Sequence, residues 1–241
     1  MSGVTAAAVE LSPIAWTPGS AEYELPVAGQ GKRAVTVWLP EASEPRALVV
    51  LQHGAVLQQS GQRRPDLLGP TRMLVRCLAA PALAALDPII IAPASPTGQW
   101  WLRDETALVL GLVLAARERW PSAGSHSVIS GYSNGGIGAW YFARLYPEYF
   151  AAAVPMAANA TIAGDTPLPV FAIHGTKDET FAFPAVRDSL QALVQRGADV
   201  TLEAKYRGTH RAVCSYAPEL VRAGQWIERR VLSPGESTRA P

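Results

Sequence analysis

The chain has 241 residues, 49% of them hydrophobic, which suits one α/β domain with a sizeable core. Charged residues make up only 17% and the formal net charge is +1, so no global field draws nucleic acid or an anionic membrane. Residues 1–11 lack the basic and apolar regions of a secretory signal, and the most apolar stretch, 107–116, contains Gly111 and is too short to span a bilayer; a cytoplasmic protein that does not enter the membrane is expected.

In chain order, residues 22–39 read as a hairpin. Tyr23 and Leu25 alternate with polar neighbours, a Gly-rich turn occupies 28–31, and Val35, Val37 and Leu39 resume the alternation. Apolar runs without alternation follow at 47–51, 89–92, 128–129 and 170–173. Runs of this kind, bounded by turn residues, suit strands buried on both faces of a parallel sheet. Between 57 and 70 lies a long polar loop carrying Gln58, Gln59, Gln62, Arg63 and Arg64, either bordering a site and binding an anionic substrate part or simply solvated. Residues 106–119 are rich in Leu and Ala and predict a helix that stops before Pro121. Ile137, Trp140, Tyr141 and Leu145 recur at helical spacing, with Pro147 beyond them; 185–196 is a helix ending at Gly197, and 216–231 is the last. Strand and helix alternate, so the fold class is α/β: a mostly parallel sheet with helices on both faces, one domain over 1–232 and a disordered polar tail over 233–241. Cys77 and Cys214 belong to no Cys-x-x-Cys pair. They are expected to be two free, buried thiols, a bridge being possible only if the fold brings them together.

The chemistry is concentrated in Gly131-Tyr132-Ser133-Asn134-Gly135, which follows the apolar strand 126–130 and precedes a helix. A five-residue pattern alone is weak, and its glycines would also serve a plain tight turn. Strand, sharp turn and helix together are what a nucleophile elbow requires, with Ser133 exposed at its tip. A serine hydroxyl needs a base. Of the four histidines, His126 opens the elbow strand at the opposite end of the sheet, and His53 and His174 each continue a strand into a turn; His210, in a loop before the last helix, remains. The base needs an orienting carboxylate, for which Asp178 is preferred on position over its neighbour Glu179 and over Asp165. Oxyanion donors are expected from the backbone N–H of Asn134, at a helix N-terminus, and from Ala55 or Val56 after Gly54. Trp100 and Trp101, on the same edge, either wall an apolar pocket or pack on the core; together with Tyr132 they are the substrate-binding candidates.

His53-Gly54 after a strand, Gly131-Tyr132-Ser133-Asn134-Gly135-Gly136, His174-Gly175 with Asp178, and Gly208 with His210 together resemble the α/β-hydrolase superfamily. The nearest branches by this resemblance are the dienelactone hydrolase-like proteins, the phospholipase/carboxylesterase family, and polyhydroxybutyrate depolymerase-like or feruloyl esterase-like enzymes. The resemblance implies a Ser133–His210–Asp178 triad, an acyl-enzyme mechanism on a small-molecule ester, and no cofactor or metal. It leaves open a serine peptidase or amidase, or a non-catalytic binding protein on the same fold, and says nothing of the oligomeric state. Two departures stand out. The lipase His-Gly-Gly-Gly run is absent, since Ala55 and Val56 follow Gly54, and only the short segment 157–168 lies where many relatives insert a cap, so no large lid is expected.

Overall fold

The computed structural model describes residues 3–56, 66–160 and 165–233. The chain opens with β1 (Gly19–Val27) and β2 (Gly31–Leu39), an antiparallel hairpin in which Gly29 and Gly31 adopt the positive φ that its tight turn needs. β3 (Ala47–Gln52) leads to α1 (Leu68–Met73), which continues through a π-helical turn (Leu74–Ala79) into α2 (Ala80–Leu83). β4 (Pro88–Pro93), α3 (Arg103–Arg119), α4 (Pro121–Ser125), β5 (Ser127–Tyr132), α5 (Asn134–Leu145) and β6 (Ala152–Met156) follow. β7 (Val170–Gly175), α6 (Phe183–Gln195), β8 (Val200–Lys205), a 3₁₀ turn (Val213–Tyr216) and α7 (Ala217–Ile227) complete the domain.

The strands form one eight-stranded sheet in the order β1-β2-β4-β3-β5-β6-β7-β8. β2 pairs antiparallel with β1 and β4; from β4 to β8 every pairing is parallel. The apolar runs explain this arrangement residue by residue. In β3, Leu48 and Val50 point into one core and Val49 and Leu51 into another; in β4, Ile89 and Ile91 take the first side, Ile90 and Ala92 the second. The first core is closed by α3, α5 and α6 through residues such as Leu112, Trp140 and Leu190, the second by the π turn, α2 and α7 through Leu78, Leu83 and Leu220. A strand buried on both faces has no solvent side to mark with polar residues, hence the unbroken runs. Each such side chain contributes about 1.5–3 kcal/mol by leaving water.

Residues 157–169 join β6 to β7, too short a connection for a separate cap domain. No helix among the described residues is long and apolar enough to cross a membrane. Two expectations are corrected. Cys77, in the π turn, and Cys214, in the 3₁₀ turn before α7, form a disulfide with Cα atoms 5.3 Å apart; they are not free thiols, because the second core packs these two segments against each other. The polar loop expected over 57–70 becomes helix from Leu68 onward. Gln58, Gln59, Gln62, Arg63 and Arg64, like the tail from 234, lie outside the described residues.

Candidate active site

β5 lies at the centre of the parallel sheet, held between β3 and β6 with Gln52 opposite Gly131 and Met156 opposite Tyr132. The chain then reverses within one residue. Ser133 has φ 57° and ψ −119°, a strained conformation for a side-chain-bearing residue, costing about 1–3 kcal/mol. It is held there by its own N–H, which donates to Met156 O at 3.0 Å, and by its carbonyl, which accepts the Ile137 N–H at 2.9 Å. The glycines around it are there for closeness: a Cβ on Gly135 would overlap the Gln52 carbonyl, and one on Gly131 the Gly135 carbonyl. Ser133 therefore stands at the N-terminus of α5 with its hydroxyl free of the sheet.

Asp178 follows β7 in a turn closed by its own side chain. Oδ1 accepts the N–H groups of Thr180 (2.9 Å) and Phe181 (2.7 Å), while Oδ2 faces Nδ1 of His210 at 2.8 Å. The carboxylate is fully buried. Burial opposes its ionisation, but the His210 ring and the two amides together outweigh this and hold its pKa below the usual carboxylate range. An ionised carboxylate can only accept, so Nδ1 of His210 carries the proton and Nε2 presents its lone pair to Ser133 Oγ, 2.9 Å away. Asp178, His210 and Ser133 thus form one hydrogen-bonded chain across three loops. The loops carrying Asp178 and His210 are joined directly. Lys177 N–H donates to Gly208 O at 2.9 Å, Arg207 N–H to Thr176 Oγ1 at 2.8 Å, and a Cβ on Gly175 would overlap the Gly208 carbonyl. Glu179 meets the backbone N–H of His210 (2.8 Å), not its ring, and Asp165 pairs with Arg196 at the surface.

The loop after β3 lies against Ser133: a Cβ on Gly54 would stand 3.2 Å from Ser133 Cβ. The N–H groups of Asn134 and Ala55 find no acceptor among the described residues, whereas Val56 N–H points at Thr97 O, 3.5 Å away. His53 is fully buried; its Nδ1–H donates to Gly54 O (2.7 Å) and its Nε2 accepts Ser95 N–H (2.9 Å), and burial pushes its pKa down, so the ring is neutral. Trp100 also braces this loop. Its Nε1–H donates to His53 O at 2.8 Å and its ring meets the imidazole edge-on at 5.1 Å. Trp100 is therefore core, shut beneath the loop, and not a wall for substrate; Trp101 is half-buried and also lies outside the cavity lining. His126 bonds Arg46 O at the far end of β5, and His174 donates to Phe181 O, its ring neutral because burial pushes its pKa down.

Ser133 and His210 open into a cavity of about 640 Å³. Pro70, Met73 and Leu74 line one side and Thr180, Arg211 and Val213 another; Tyr132 contributes as well. This wall from α1 and the π turn had no signal in the sequence beyond two apolar residues near a proline. The site is a strained, half-buried serine, a histidine presenting a lone pair to it, a buried carboxylate behind, and the loop after β3 alongside.

No family model matches the sequence, and no curated protein is matched by it. Among solved structures, an S-formylglutathione hydrolase from Staphylococcus aureus is 15% identical, covering 87% of this chain and 98% of its own, with a TM-score of 0.68. The fluorophosphonate-binding serine hydrolase F of the same organism is 15% identical, covering 92% and 98%, with a TM-score of 0.67. A lidless α/β serine hydrolase from Xanthomonas campestris is 19% identical, covering 95% and 100%, with a TM-score of 0.63. At these identities the likeness is one of fold, and the chain has the α/β-hydrolase fold.

Proposed function

We propose that this protein is a serine hydrolase that cleaves small carboxylic esters through an acyl-enzyme on Ser133. The observation that carries the reading is the unbroken hydrogen-bonded chain from the Asp178 carboxylate through His210 to Ser133 Oγ, at 2.8 and 2.9 Å, opening on a cavity of about 640 Å³. His210 Nε2 takes the Ser133 proton as Oγ attacks the ester carbonyl, and Asp178 stabilises the imidazolium that results. The N–H groups of Asn134 and Ala55 hold the developing oxyanion, at the positive end of α5. His210 then protonates the leaving alcohol, and water repeats the cycle on the acyl-enzyme. The similarity to solved serine hydrolases supports this chemistry, and the short 157–169 connection supports access for soluble short-chain esters without a lid. The Cys77–Cys214 disulfide supports an oxidising compartment in place of the cytoplasm expected from the sequence.

A panel of soluble acyl esters of graded size, run on wild type and Ser133→Ala, tests the proposal. The variant is expected to lose several orders of magnitude in kcat with its fold intact. Turnover within about tenfold of wild type would overturn it.

A further inference from the structure

Resting on that reading of the triad, we propose that Tyr132 and Glu179 are positioning residues that fix the main chain of His210, so that the neighbour of the nucleophile and the neighbour of the acid set where the base stands.

His210 lies in a segment, 206–212, that belongs to neither helix nor strand. The bonds from its ring to Asp178 and Ser133 direct the imidazole only while its Cα stays in place. Two side chains grip the backbone of this one residue. The Tyr132 hydroxyl donates to His210 O at 2.7 Å, and Glu179 Oε2 accepts His210 N–H at 2.8 Å. Both grips come from rigid ground. Tyr132 ends the central strand, paired with Met156, and is 4% exposed; Glu179 sits inside the turn that Asp178 closes with its own carboxylate. Tyr132 precedes Ser133 in sequence and Glu179 follows Asp178, so a shift of either partner carries the base with it.

The phenol is itself braced. Its ring meets Tyr216 edge-on at 5.4 Å and lies tilted against the His210 ring at 5.8 Å, while the Tyr216 hydroxyl donates to Thr209 O at 3.3 Å. Burial pushes both phenols up, Tyr216 to about 12 and Tyr132 further, so both remain neutral donors wherever the enzyme works. Tyr132 reads from the sequence as a substrate-binding residue. Its ring does line the cavity, but its hydroxyl is committed to the His210 carbonyl and offers no proton to a substrate.

The test uses Tyr132→Phe, Glu179→Ala and the double variant on one soluble short-chain ester at 25 °C, with the rate of Ser133 labelling by a fluorophosphonate as a second readout. Tyr132→Phe keeps the ring and is expected to lower kcat and the labelling rate together by about tenfold, the value of one buried hydrogen bond, with KM within about twofold. Glu179→Ala removes the acceptor at a half-exposed position and is expected to cost a few-fold in the same two quantities. Each grip compensates in part for loss of the other, so the double variant should lose more than the product of the single losses. A rise in KM with kcat and labelling unchanged would return Tyr132 to a substrate-binding role and overturn the proposal, as would losses that simply multiply. Should Tyr132→Phe fail to fold, an unchanged kcat in Glu179→Ala overturns it alone. Ser133→Ala in the same assay separates the two proposals: turnover by that variant removes the triad itself, whereas a dead Ser133→Ala beside an unimpaired Tyr132→Phe removes only this one.

Discussion

The two oxygens of Asp178 have different tasks: Oδ1 closes its own turn on Thr180 and Phe181, and Oδ2 alone reaches His210. Asp178→Asn keeps the size and leaves the turn an acceptor. An amide at the Oδ2 position, however, either presents N–H to Nδ1 or holds the imidazole in the wrong tautomer. A loss in kcat of about 10⁴-fold is expected, with KM little changed, against a few-fold for Glu179→Gln and none for Asp165→Asn, whose side chain bonds Arg196. Steady-state kinetics of the three variants on one ester check this; a dead Asp165→Asn would move the acid to another loop. The choice of Asp178 over its neighbours was available from position alone, since it follows the apolar run 170–173 at the strand end where Ser133 also emerges. The backbone role of Glu179 was not, because a bond to a main-chain N–H across 31 positions leaves no mark on the sequence. Between Ala55 and Val56, and between core and cavity wall for Trp100, both alternatives stood open for related reasons. Which of two successive N–H groups faces a serine depends on one peptide's orientation, and an aromatic pair looks alike whether its indole bonds a buried carbonyl or borders a cavity.

Among the elements, the helical segment from Leu68 to Leu83 has no counterpart among the expected ones, and two prolines lie within it. Pro70 lies in the first turn of α1, where a missing N–H breaks no helical bond, and Pro81 follows directly on the π-helical turn. This segment supplies one wall of the cavity and also Cys77, whose bridge to Cys214 ties it to the turn just after His210. The pairing was hidden because the two cysteines are 137 positions apart and only the fold makes them neighbours. Closing so long a loop restricts the unfolded chain strongly. Replacing both cysteines by serine is expected to cost about 2–5 kcal/mol, a fall in Tm of roughly 5–15 °C. Because the lost tether lies beside His210, kcat should fall in the same variant at temperatures where it is still folded. Thermal melts with and without a phosphine reductant, paired with ester turnover, check both; an unchanged Tm on full reduction would contradict this account.

For the whole molecule, the alternating fates of Leu48 to Leu51 and Ile89 to Ala92 show why the fold was readable: only a sheet covered on both faces accepts such runs. Stability should also follow pH in a defined way. His53 and His174 are buried and neutral, with pKa values that burial pushes below the ordinary imidazole value of 6.5. The unfolded chain takes up protons at these positions more readily than the folded one, so stability is full above about pH 6.5 and declines as pH falls through it. Asp178, held below the usual carboxylate range, loses its contribution only at still lower pH. The urea midpoint is therefore expected to hold between pH 7.5 and 8.5 and to drop by pH 5.5; a midpoint unchanged at pH 5.5 would mean that neither imidazole is neutralised by burial. The disulfide has one consequence of a topological kind. Residues 77–214 form a covalent ring that contains Ser133, Asp178 and His210 together. A single protease cut anywhere within the ring opens it without releasing a piece, so these three residues stay on one connected molecule, and such a nicked protein separates into two chains only after reduction.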